Sequence, residues 1–300
     1  MHYEIVLRIN KVIDHIEEHL CEEHQLEKLA QIANLSKFHF HRTFKIITQE
    51  TPNEYINRKR IEKIASLLIH NRNESISNLS FRYGFQNLSS FSRSFKKYYG
   101  YSASELKQKT KKQTQIKSSK NSKIGKTSIL SKDYLCKVEK IKEWMTTRTE
   151  ISVKHIPEVT LAYVRHWGNP YTIHQAFDKL LVWCKNAKYD SKEKIYFTLF
   201  HDNPTLTVDY KIQQSACIEI SKQTKLSQKI SMLSIPAQKY VIGKFQLTDQ
   251  EFEMAWNSMI IWMNENNISA NDGHRFERFL NNSLFDNSSK YQVEIGIPIK

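Results

Sequence analysis

Leu26–Ile47 has the sequence LEKLAQIANLSKFHFHRTFKII, and Ile76–Gly100 has ISNLSFRYGFQNLSSFSRSFKKYYG. The two stretches share one layout, in which Leu29 matches Leu79 before a central break and Phe40 matches Phe91 after it. Asn34 and Gly84 occupy the break, where a tight turn needs a positive φ that glycine adopts freely and asparagine tolerates. Phenylalanines at i and i+4 follow in both stretches and predict one apolar helix face. This layout is typical of two helix-turn-helix motifs.

The second helix of each motif carries a polar and basic face. Ser36 and Asn87 are predicted to cap these helices, because their side chains can accept hydrogen bonds from first-turn N–H groups. A helix in the major groove contacts bases and phosphates through its exposed face. The residues expected to contact DNA are Phe38, His41, Arg42, Lys45, Leu88, Ser89, Ser90, Arg93, Lys96 and Lys97. The two arginines are candidates for base-edge or adjacent phosphate contacts, since a guanidinium fork fits guanine O6 and N7.

Positive charge is concentrated in the N-terminal half of the chain. Residues 1–150 hold 28 Lys and Arg against 16 Asp and Glu, whereas residues 151–300 hold 17 against 15. A basic excess confined to one half is typical of a domain that binds a polyanion, although a solvated basic surface has the same composition. Composition leaves both interpretations open, and the two motifs favour DNA.

The second motif has a recognisable set of residues, namely Gly84-Phe85, Ser90-Phe91, Arg93, Phe95-Lys96 and Gly100. With this spacing, Arg58–Lys107 resembles the AraC/XylS family of transcription regulators. Two positions depart from the family pattern, with Ser80 where alanine is usual and Ala103 where proline is frequent. The resemblance implies that a long helix, Thr51–His70, joins two subdomains so that both recognition helices enter successive major-groove segments on one DNA face. The capping box Thr51-Pro52-Asn53-Glu54 is predicted to start that helix.

A basic stretch separates this region from the rest of the chain. Residues 107–132 contain nine lysines, no acidic residue and little apolar periodicity. Such a composition cannot bury enough apolar surface to order itself. We therefore predict a DNA-binding domain at 1–106, a basic linker at 107–150 and a second domain at 151–300.

The second half contains an internal repeat, in which five matched pairs share one constant offset along the chain. The pairs are Ile156-Pro157 with Ile235-Pro236, Ala176-Phe177 with Ala255-Trp256, Trp183 with Trp262, Phe197 with Phe276, and Ile218-Glu219-Ile220 with Ile297-Pro298-Ile299. Each copy is predicted to form a strand, an amphipathic helix and then two strands. Two such modules side by side would make an α+β domain with a groove along their pseudo-twofold axis. The predicted fold class is therefore multidomain, an all-α tandem helix-turn-helix domain followed by this α+β domain.

Four segments of the second half carry a further resemblance, namely Leu161–Gly168, His201–Pro204, Arg275–Leu280 and Ile297–Ile299. They resemble the gyrase-inhibitor-like (GyrI-like) effector-binding domains. One region departs, because Gln213-Gln214-Ser215 stands where that family often has Arg-Tyr-Asp. The resemblance implies a pocket glutamate at Glu277 that engages ligands, often cations. Strand alternation alone would also allow Glu277 to face solvent.

Aromatic walls around one carboxylate suit a hydrophobic cation through cation–π and ionic attraction. The residues expected to bind the ligand are Glu277, Tyr163, Trp167, Tyr171 and Phe276. The other aromatic residues of this half are expected to be mostly core.

Several other kinds of site are not expected. The four cysteines form no CxxC pair, and no His/Cys cluster has metal-ligand spacing, so reduced thiols and no metal or other cofactor are predicted. No run approaches the roughly 18 apolar residues of a membrane span. The first residues are not typical of a signal peptide, so a cytoplasmic location without a membrane partner is expected.

The sequence thus predicts a bacterial, non-enzymatic, sequence-specific DNA-binding transcription regulator with no catalytic residues. Its C-terminal domain is expected to bind a small lipophilic or cationic effector. The expected partners are double-stranded DNA at promoter major grooves, the effector and RNA polymerase. Two alternatives stay open: a GyrI-like hydrolase with Glu277 as general base, and a ligand-sequestering protein tethered to DNA.

Overall fold

The computed structural model describes residues 2–70, 74–108, 140–145, 149–187, 189, 195–203, 206–222, 224, 230–280 and 290–300. The chain divides into two compact units, one of Met1–Ser119 with Asn203–Lys211 and one of Lys120–Asp202 with Ile212–Lys300. Most of the expected linker at 107–150 lies outside the described residues, so it stays a prediction. None of the described helices is both long and apolar enough to cross a membrane.

The first unit consists of short helices packed around one long helix. Its helices are α1 (His2–Glu18), α2 (Leu26–Ile32), α3 (Lys37–Thr48), α4 (Pro52–His70), α5 (Ile76–Arg82), α6 (Leu88–Tyr99) and α7, described over 103–108. Both α3 and α6 contact α4. The predicted capping box starts α4, because Thr51 N donates to Glu54 Oε2 at 2.8 Å and Glu54 N donates to Thr51 Oγ1 at 3.3 Å. The tandem helix-turn-helix arrangement around one long helix is as the sequence predicts.

Two aromatic pairs form the cores of the two motifs. Phe40 and Phe44 on α3, and Phe91 and Phe95 on α6, have no exposed surface. The ring centroids are 5.5 Å apart within each pair, a separation at which aromatic rings attract beyond the effect of burial. These rings hold α3 and α6 against their neighbours and leave the opposite face of each helix in solvent.

The second unit contains one eight-stranded antiparallel sheet. Its strands are β1 (Thr149–Ile156), β2 (Val159–Trp167), β3 (Tyr196–Phe200), β4 (Gln213–Glu219), β5 (Ser231–Ile235), β6 (Gln238–Leu247), β7 (Arg275–Phe279) and β8 (Tyr291–Pro298). They are arranged in the order β1-β6-β8-β7-β3-β4-β2-β5. The helices of this unit are α8, described over 140–145, α9 (His174–Asn186) and α10 (Phe252–Glu265). α9 packs on β2 and β4, and α10 packs on β6.

The internal repeat of the sequence is also a repeat of secondary structure, because matched segments form matched strands and helices. For example, the offset that carries Phe197 to Phe276 carries both ends of β3 onto the ends of β7. Each copy has one strand more than the predicted strand-helix-strand-strand module, because β1 and β5 precede the predicted first strands. The two extra strands are exchanged, so that β1 pairs with β6 and β5 pairs with β2. Both lie at sheet edges, where exposed polar side chains weaken the hydrophobic pattern that identifies a strand.

The centre of the sheet is the pairing of β3 with β7. Thr198 lies directly opposite Glu277 in this pairing. The two positions are repeat equivalents, since each directly follows one member of the matched pair Phe197 and Phe276. The pseudo-twofold axis of the duplicated domain therefore passes between Thr198 and Glu277.

Strand alternation separates two hydrophobic clusters, one on each face of the sheet. The helix-side cluster joins residues of α9 and α10 to strand residues such as Ala216, Phe279 and Ile295. The opposite cluster contains Tyr163, Phe276 and other buried strand residues. The face on which a side chain lies thus decides whether it can contribute to a groove beside the helices.

Candidate DNA interface and ligand groove

Helix α3 presents an exposed face of mixed character in the first motif. Asn34 has a φ of 52° in the turn, and Ser36 caps the helix, its Oγ accepting from His39 N at 3.4 Å. Both features were predicted. Phe38 is 84% exposed and Ile46 is 69% exposed. The exposed side chains of this helix include Phe38, Arg42, Lys45 and Ile46, whereas His41 is half-buried.

Helix α6 presents a more polar face in the second motif. Gly84 has a φ of 75° in the turn, and Asn87 caps the helix, its Oδ1 accepting from Ser90 N at 2.7 Å. The exposed side chains include Leu88, Ser89, Arg93, Lys96 and Lys97, whereas Ser90 is half-buried. Matched positions differ in chemistry, because Phe38 and Ile46 of α3 correspond to Ser89 and Lys97 of α6. The sequence prediction did not include Ile46, although it lies one helical turn beyond Arg42.

Arg60 on α4 connects the second turn to the start of the first motif. Its Nε donates to the carbonyl oxygen of Leu20 at 3.0 Å, its Nη2 donates to that of Glu22, and its Nη1 donates to that of Gly84 at 3.3 Å. A Cβ atom at Gly84 would lie 2.8 Å from Arg60 Cζ. Gly84 is therefore needed both for its positive φ and for the space that the guanidinium occupies. Sequence reasoning found the first cause and missed the second.

A buried ionic network runs along α4 on the way to α6. Arg58 Nε lies 2.8 Å from Glu50 Oε2, and Arg58 Nη1 lies 3.1 Å from Glu62 Oε2. Tyr98 of α6 donates its hydroxyl hydrogen to Glu62 Oε1 at 2.5 Å. Burial is the largest cause that raises the pKa of Tyr98 above its ordinary value. The network ties α6 to the connection between α3 and α4, because each buried charge needs its partner.

Glu277 is the central polar group on the helix-facing side of the sheet. It is 7% exposed, and Trp256 of α10 donates its indole N–H to Glu277 Oε1 at 2.8 Å. Burial raises the pKa of Glu277 to about 7, and the hydrogen bond from Trp256 opposes that rise. Among the described residues, no charged side chain contributes to this shift. The site thus holds a carboxylate whose raised pKa of about 7 is caused by burial, without a contribution from a described charged side chain.

Two equivalent aromatic pairs flank the pseudo-twofold axis. The rings of Phe200 and Trp256 are 5.1 Å apart, and those of Phe177 and Phe279 are 6.3 Å apart. The internal repeat relates the two pairs, because Phe177 is equivalent to Trp256 and Phe200 is equivalent to Phe279. Together with Glu277 they place one carboxylate among aromatic rings on the helix-facing side of the sheet, a chemistry that suits an apolar cation.

The structure does not bring the five predicted ligand residues together. Tyr163 and Phe276 belong to the cluster on the opposite face of the sheet from Glu277, and each is 1% exposed. Phe276 precedes Glu277 on one strand, so alternation requires that the two side chains point to opposite faces. Trp167 is half-buried at the end of β2, and Tyr171 is 85% exposed in a 3₁₀ turn. Glu277 lies on the helix-facing side of the sheet, away from Tyr163 and Phe276.

The described residues offer no metal site of three or more His, Cys, Asp or Glu side chains. Cys21 is exposed, whereas Cys184 and Cys217 are buried, and none of these three forms a disulfide bond among the described residues. Cys136 lies outside the described residues. Around Glu277 the described chemistry includes its carboxylate, the indole N–H group of Trp256 and aromatic rings, and Arg275 lies two residues earlier on the same face of β7.

Two family profiles match the chain. A profile described as GyrI-like small molecule binding domain matches residues 149–300, and one described as helix-turn-helix domain matches residues 29–109. The first covers slightly more than half of the chain.

Curated relatives match about a third of the chain. HTH-type transcriptional activator RhaS of Enterobacter sp. (strain 638) is 35% identical over 101 residues, which are 34% of this chain and 36% of RhaS. Multiple antibiotic resistance protein MarA of Salmonella typhimurium is 34% identical over 93 residues, which are 31% of this chain and 72% of MarA. The chain thus spans about a third of the length of the RhaS relatives that it matches.

Solved structures show similarity to each part and to most of the chain. The DNA-binding domain of AdpA in complex with a target DNA has 24% identity and a TM-score of 0.33, covering 35% of this chain and 94% of that one. A chain described as EcmrR-DNA complex in EcmrR-RPo has 15% identity and a TM-score of 0.44, covering 92% of this chain and 99% of that one. From the two profile matches, the capped tandem motifs and the duplicated sheet, the chain belongs to the AraC/XylS family, with an N-terminal tandem helix-turn-helix domain and a C-terminal GyrI-like domain.

Proposed function

We propose that this protein is a sequence-specific DNA-binding transcription regulator whose C-terminal domain binds a lipophilic cation. The proposed domains are 1–106 and 151–300, with a basic linker between them. Support for DNA binding comes from the two recognition helices, each with a formed N-cap and an exposed arginine at the same position of the motif. Arg42 and Arg93 are these arginines, and neighbouring lysines add attraction for phosphates.

The single observation that carries the ligand proposal is the buried, unneutralised carboxylate of Glu277. A buried carboxylate with a pKa of about 7 costs free energy whenever it ionises near neutral pH. A cation in the groove removes that cost and gains ionic attraction in a site shielded from water. The aromatic pairs beside it would hold the apolar part of the same ligand. RNA polymerase is the third partner that we propose, because a regulator bound at a promoter acts on transcription through it.

Substitution of the recognition arginines tests the DNA proposal. Arg93→Ala should weaken binding to selected promoter DNA by about 1–3 kcal/mol and relax sequence preference at one position. Lys97→Ala is the matched control, and it should weaken binding to promoter and random DNA about equally. An equal loss on random DNA for Arg93→Ala would mean that the arginine contacts phosphate alone. Genome-wide mapping of bound sites, with and without tetraphenylphosphonium, would supply the promoters.

Transcription assays at those promoters separate regulation from sequestration. Tetraphenylphosphonium should change the transcript level from a bound promoter in a purified polymerase reaction. Unchanged transcription together with tight cation binding would favour the ligand-sequestering alternative.

One contact bears on the hydrolase alternative. Ser215 Oγ and His201 Nε2 are 2.8 Å apart, and such a pair is the nucleophile and base of many hydrolases. Ser215 has no exposed surface and lies on the opposite face from Glu277, so a substrate in the groove does not reach it. Hydrolysis of p-nitrophenyl acetate by the wild type, abolished by Glu277→Gln, would nevertheless favour the enzyme over the binding protein.

A further inference from the structure

Gln214 of β4 is a buried amide with an unpaired acceptor. Its side chain is 3% exposed, and its Oε1 has no hydrogen-bond partner among the described residues. A buried carbonyl oxygen without a donor is uncommon, because its lost hydration is not replaced. The position therefore calls for a physical reason beyond packing.

The register of the strands places Gln214 on the same face as Glu277. Thr198 on β3 lies opposite Glu277 on one side and opposite Ala216 on the other. Gln214 is two residues from Ala216 on β4, so its side chain points to the same face. With strands about 4.8 Å apart and a rise of about 3.3 Å per residue, the Cα atoms of Gln214 and Glu277 are roughly 12 Å apart.

Aromatic rings bridge this distance. Phe200 lies opposite Gln214 in the pairing of β3 with β4. Its ring contacts the ring of Trp256, and Trp256 in turn donates to Glu277. The two polar groups thus lie at opposite ends of one aromatic surface.

The repeat shows that packing does not require a glutamine here. The equivalent of Gln214 in the other copy is Val293, which has no exposed surface and belongs to the helix-side core. The position equivalent to Glu277 is likewise uncharged, since it is Thr198. The two copies therefore differ in polar character on this face, and among the differences are Gln214 against Val293 and Glu277 against Thr198.

We propose that Gln214 is the second polar contact of the ligand groove. Its Oε1 accepts a hydrogen bond from an N–H or O–H group of an elongated lipophilic cation whose charged end lies at Glu277. This inference rests on the proposed function and specifies the ligand: a cationic head, an apolar middle, and a hydrogen-bond donor at a spacing that matches the roughly 12 Å between the Cα atoms of Glu277 and Gln214.

A matched pair of cations tests the contact. Octyltrimethylammonium and (8-hydroxyoctyl)trimethylammonium differ by one terminal hydroxyl, and calorimetric titration of the full chain gives the affinity of each. The wild type should bind the hydroxylated cation about three- to tenfold more tightly, which is the usual effect of one neutral hydrogen bond. Gln214→Val introduces the residue of the equivalent position and should bind the two cations equally.

Two controls keep the result interpretable. Gln214→Met preserves the length of the side chain without an acceptor and should also lose the preference if the valine variant folds poorly. Gln246→Val changes an exposed glutamine on β6 and should retain the preference. Thermal unfolding of each variant verifies that the domain is folded.

The outcomes separate this proposal from the function on which it rests. Equal binding of the two cations by the wild type, or a preference that survives Gln214→Val, would overturn the contact at Gln214. If Glu277→Gln still weakens both cations at least tenfold, the cation groove itself stands. Absence of binding by either cation, or binding indifferent to Glu277→Gln, would overturn both.

Discussion

Replacement of Gly84 by alanine should destabilise the helical unit far more than the same change at Gly100. Both glycines have a positive φ, 75° and 78° respectively. An L-residue in that region costs about 1–2 kcal/mol, and the lower entropy of the unfolded chain returns about 0.4–1 kcal/mol. A Cβ at Gly100 would meet no atom within 4 Å, so we expect a net loss of about 1 kcal/mol there.

At Gly84 the new methyl group would displace the guanidinium of Arg60. The Cβ position lies 2.8 Å from Arg60 Cζ and Nη1, and the Gly84 carbonyl also accepts from Nη1. A hydrogen bond from a charged donor contributes about 1.5–3 kcal/mol. The expected total for Gly84→Ala is therefore about 3–4 kcal/mol, provided that the other two bonds of Arg60 survive the shift.

Urea unfolding followed by far-ultraviolet circular dichroism measures these losses on the full chain. The five tryptophans lie between residues 144 and 262, so their fluorescence follows the second unit separately. Arg60→Met supplies the double-mutant cycle, because Gly84→Ala should cost only about 1 kcal/mol once the guanidinium is absent. Equal losses at Gly84 and Gly100, or an undiminished loss in the Arg60→Met background, would refute the reasoning.

Three further predictions concern the groove and the first recognition helix. The pKa of Glu277 is raised from 4.5 to about 7, so between these pH values the folded domain keeps a proton that the unfolded chain releases, and the free energy of unfolding falls as pH rises. Glu277→Gln should therefore stabilise the second unit by about 3 kcal/mol above pH ~7 and by almost nothing below pH ~4.5. Urea titrations that show an equal gain at both pH values would contradict this. Cation affinity should rise about tenfold between pH ~6 and ~8, because the carboxylate ionises over that range. Trp256→Phe removes a hydrogen bond that lowers the pKa of Glu277, so it should move the rise in affinity to higher pH. A midpoint of the rise that stays in place or moves to lower pH would count against the Trp256–Glu277 contact. Exposed Phe38 should contact a thymine methyl group. Replacing thymine by deoxyuracil at one position of promoter DNA should then weaken DNA binding by the wild type and leave DNA binding by Phe38→Ser unchanged. An equal effect on both proteins would exclude that contact.

The helical unit is largely predictable because its determinants are local. The caps at Ser36 and Asn87 and the turns at Asn34 and Gly84 depend on residues within one helical turn. Arg60 was not predictable in the same way. Its acceptors are backbone carbonyls 24 to 40 residues away in sequence, and a backbone carbonyl leaves no residue-type signal.

In the duplicated domain the sequence predicts the repeat, but it predicts less well which face of the sheet each side chain lies on. The repeat locates the helices and the inner strands, whereas β1 and β5 were missed, although Glu150–Lys154 of β1 alternates polar and apolar residues. Grouping Phe276 with Glu277 overlooked that neighbours on a strand point apart, a rule available from the sequence once β7 was assigned. Trp256 became identifiable as the partner of Glu277 only when α10 was packed on the sheet, since packing of a helix on a sheet is not encoded in either segment alone.

The Thr198–Glu277 pairing on the pseudo-twofold axis affects both the stoichiometry and the orientation of ligand binding. A symmetric scaffold with two acids would accept a molecule in either direction, or two molecules at once. With a single acid beside the axis, the groove has a head and a tail, and one molecule fills it in one direction. A titration should therefore saturate at one cation per chain, and a ligand with identical ends gains nothing from its second charge.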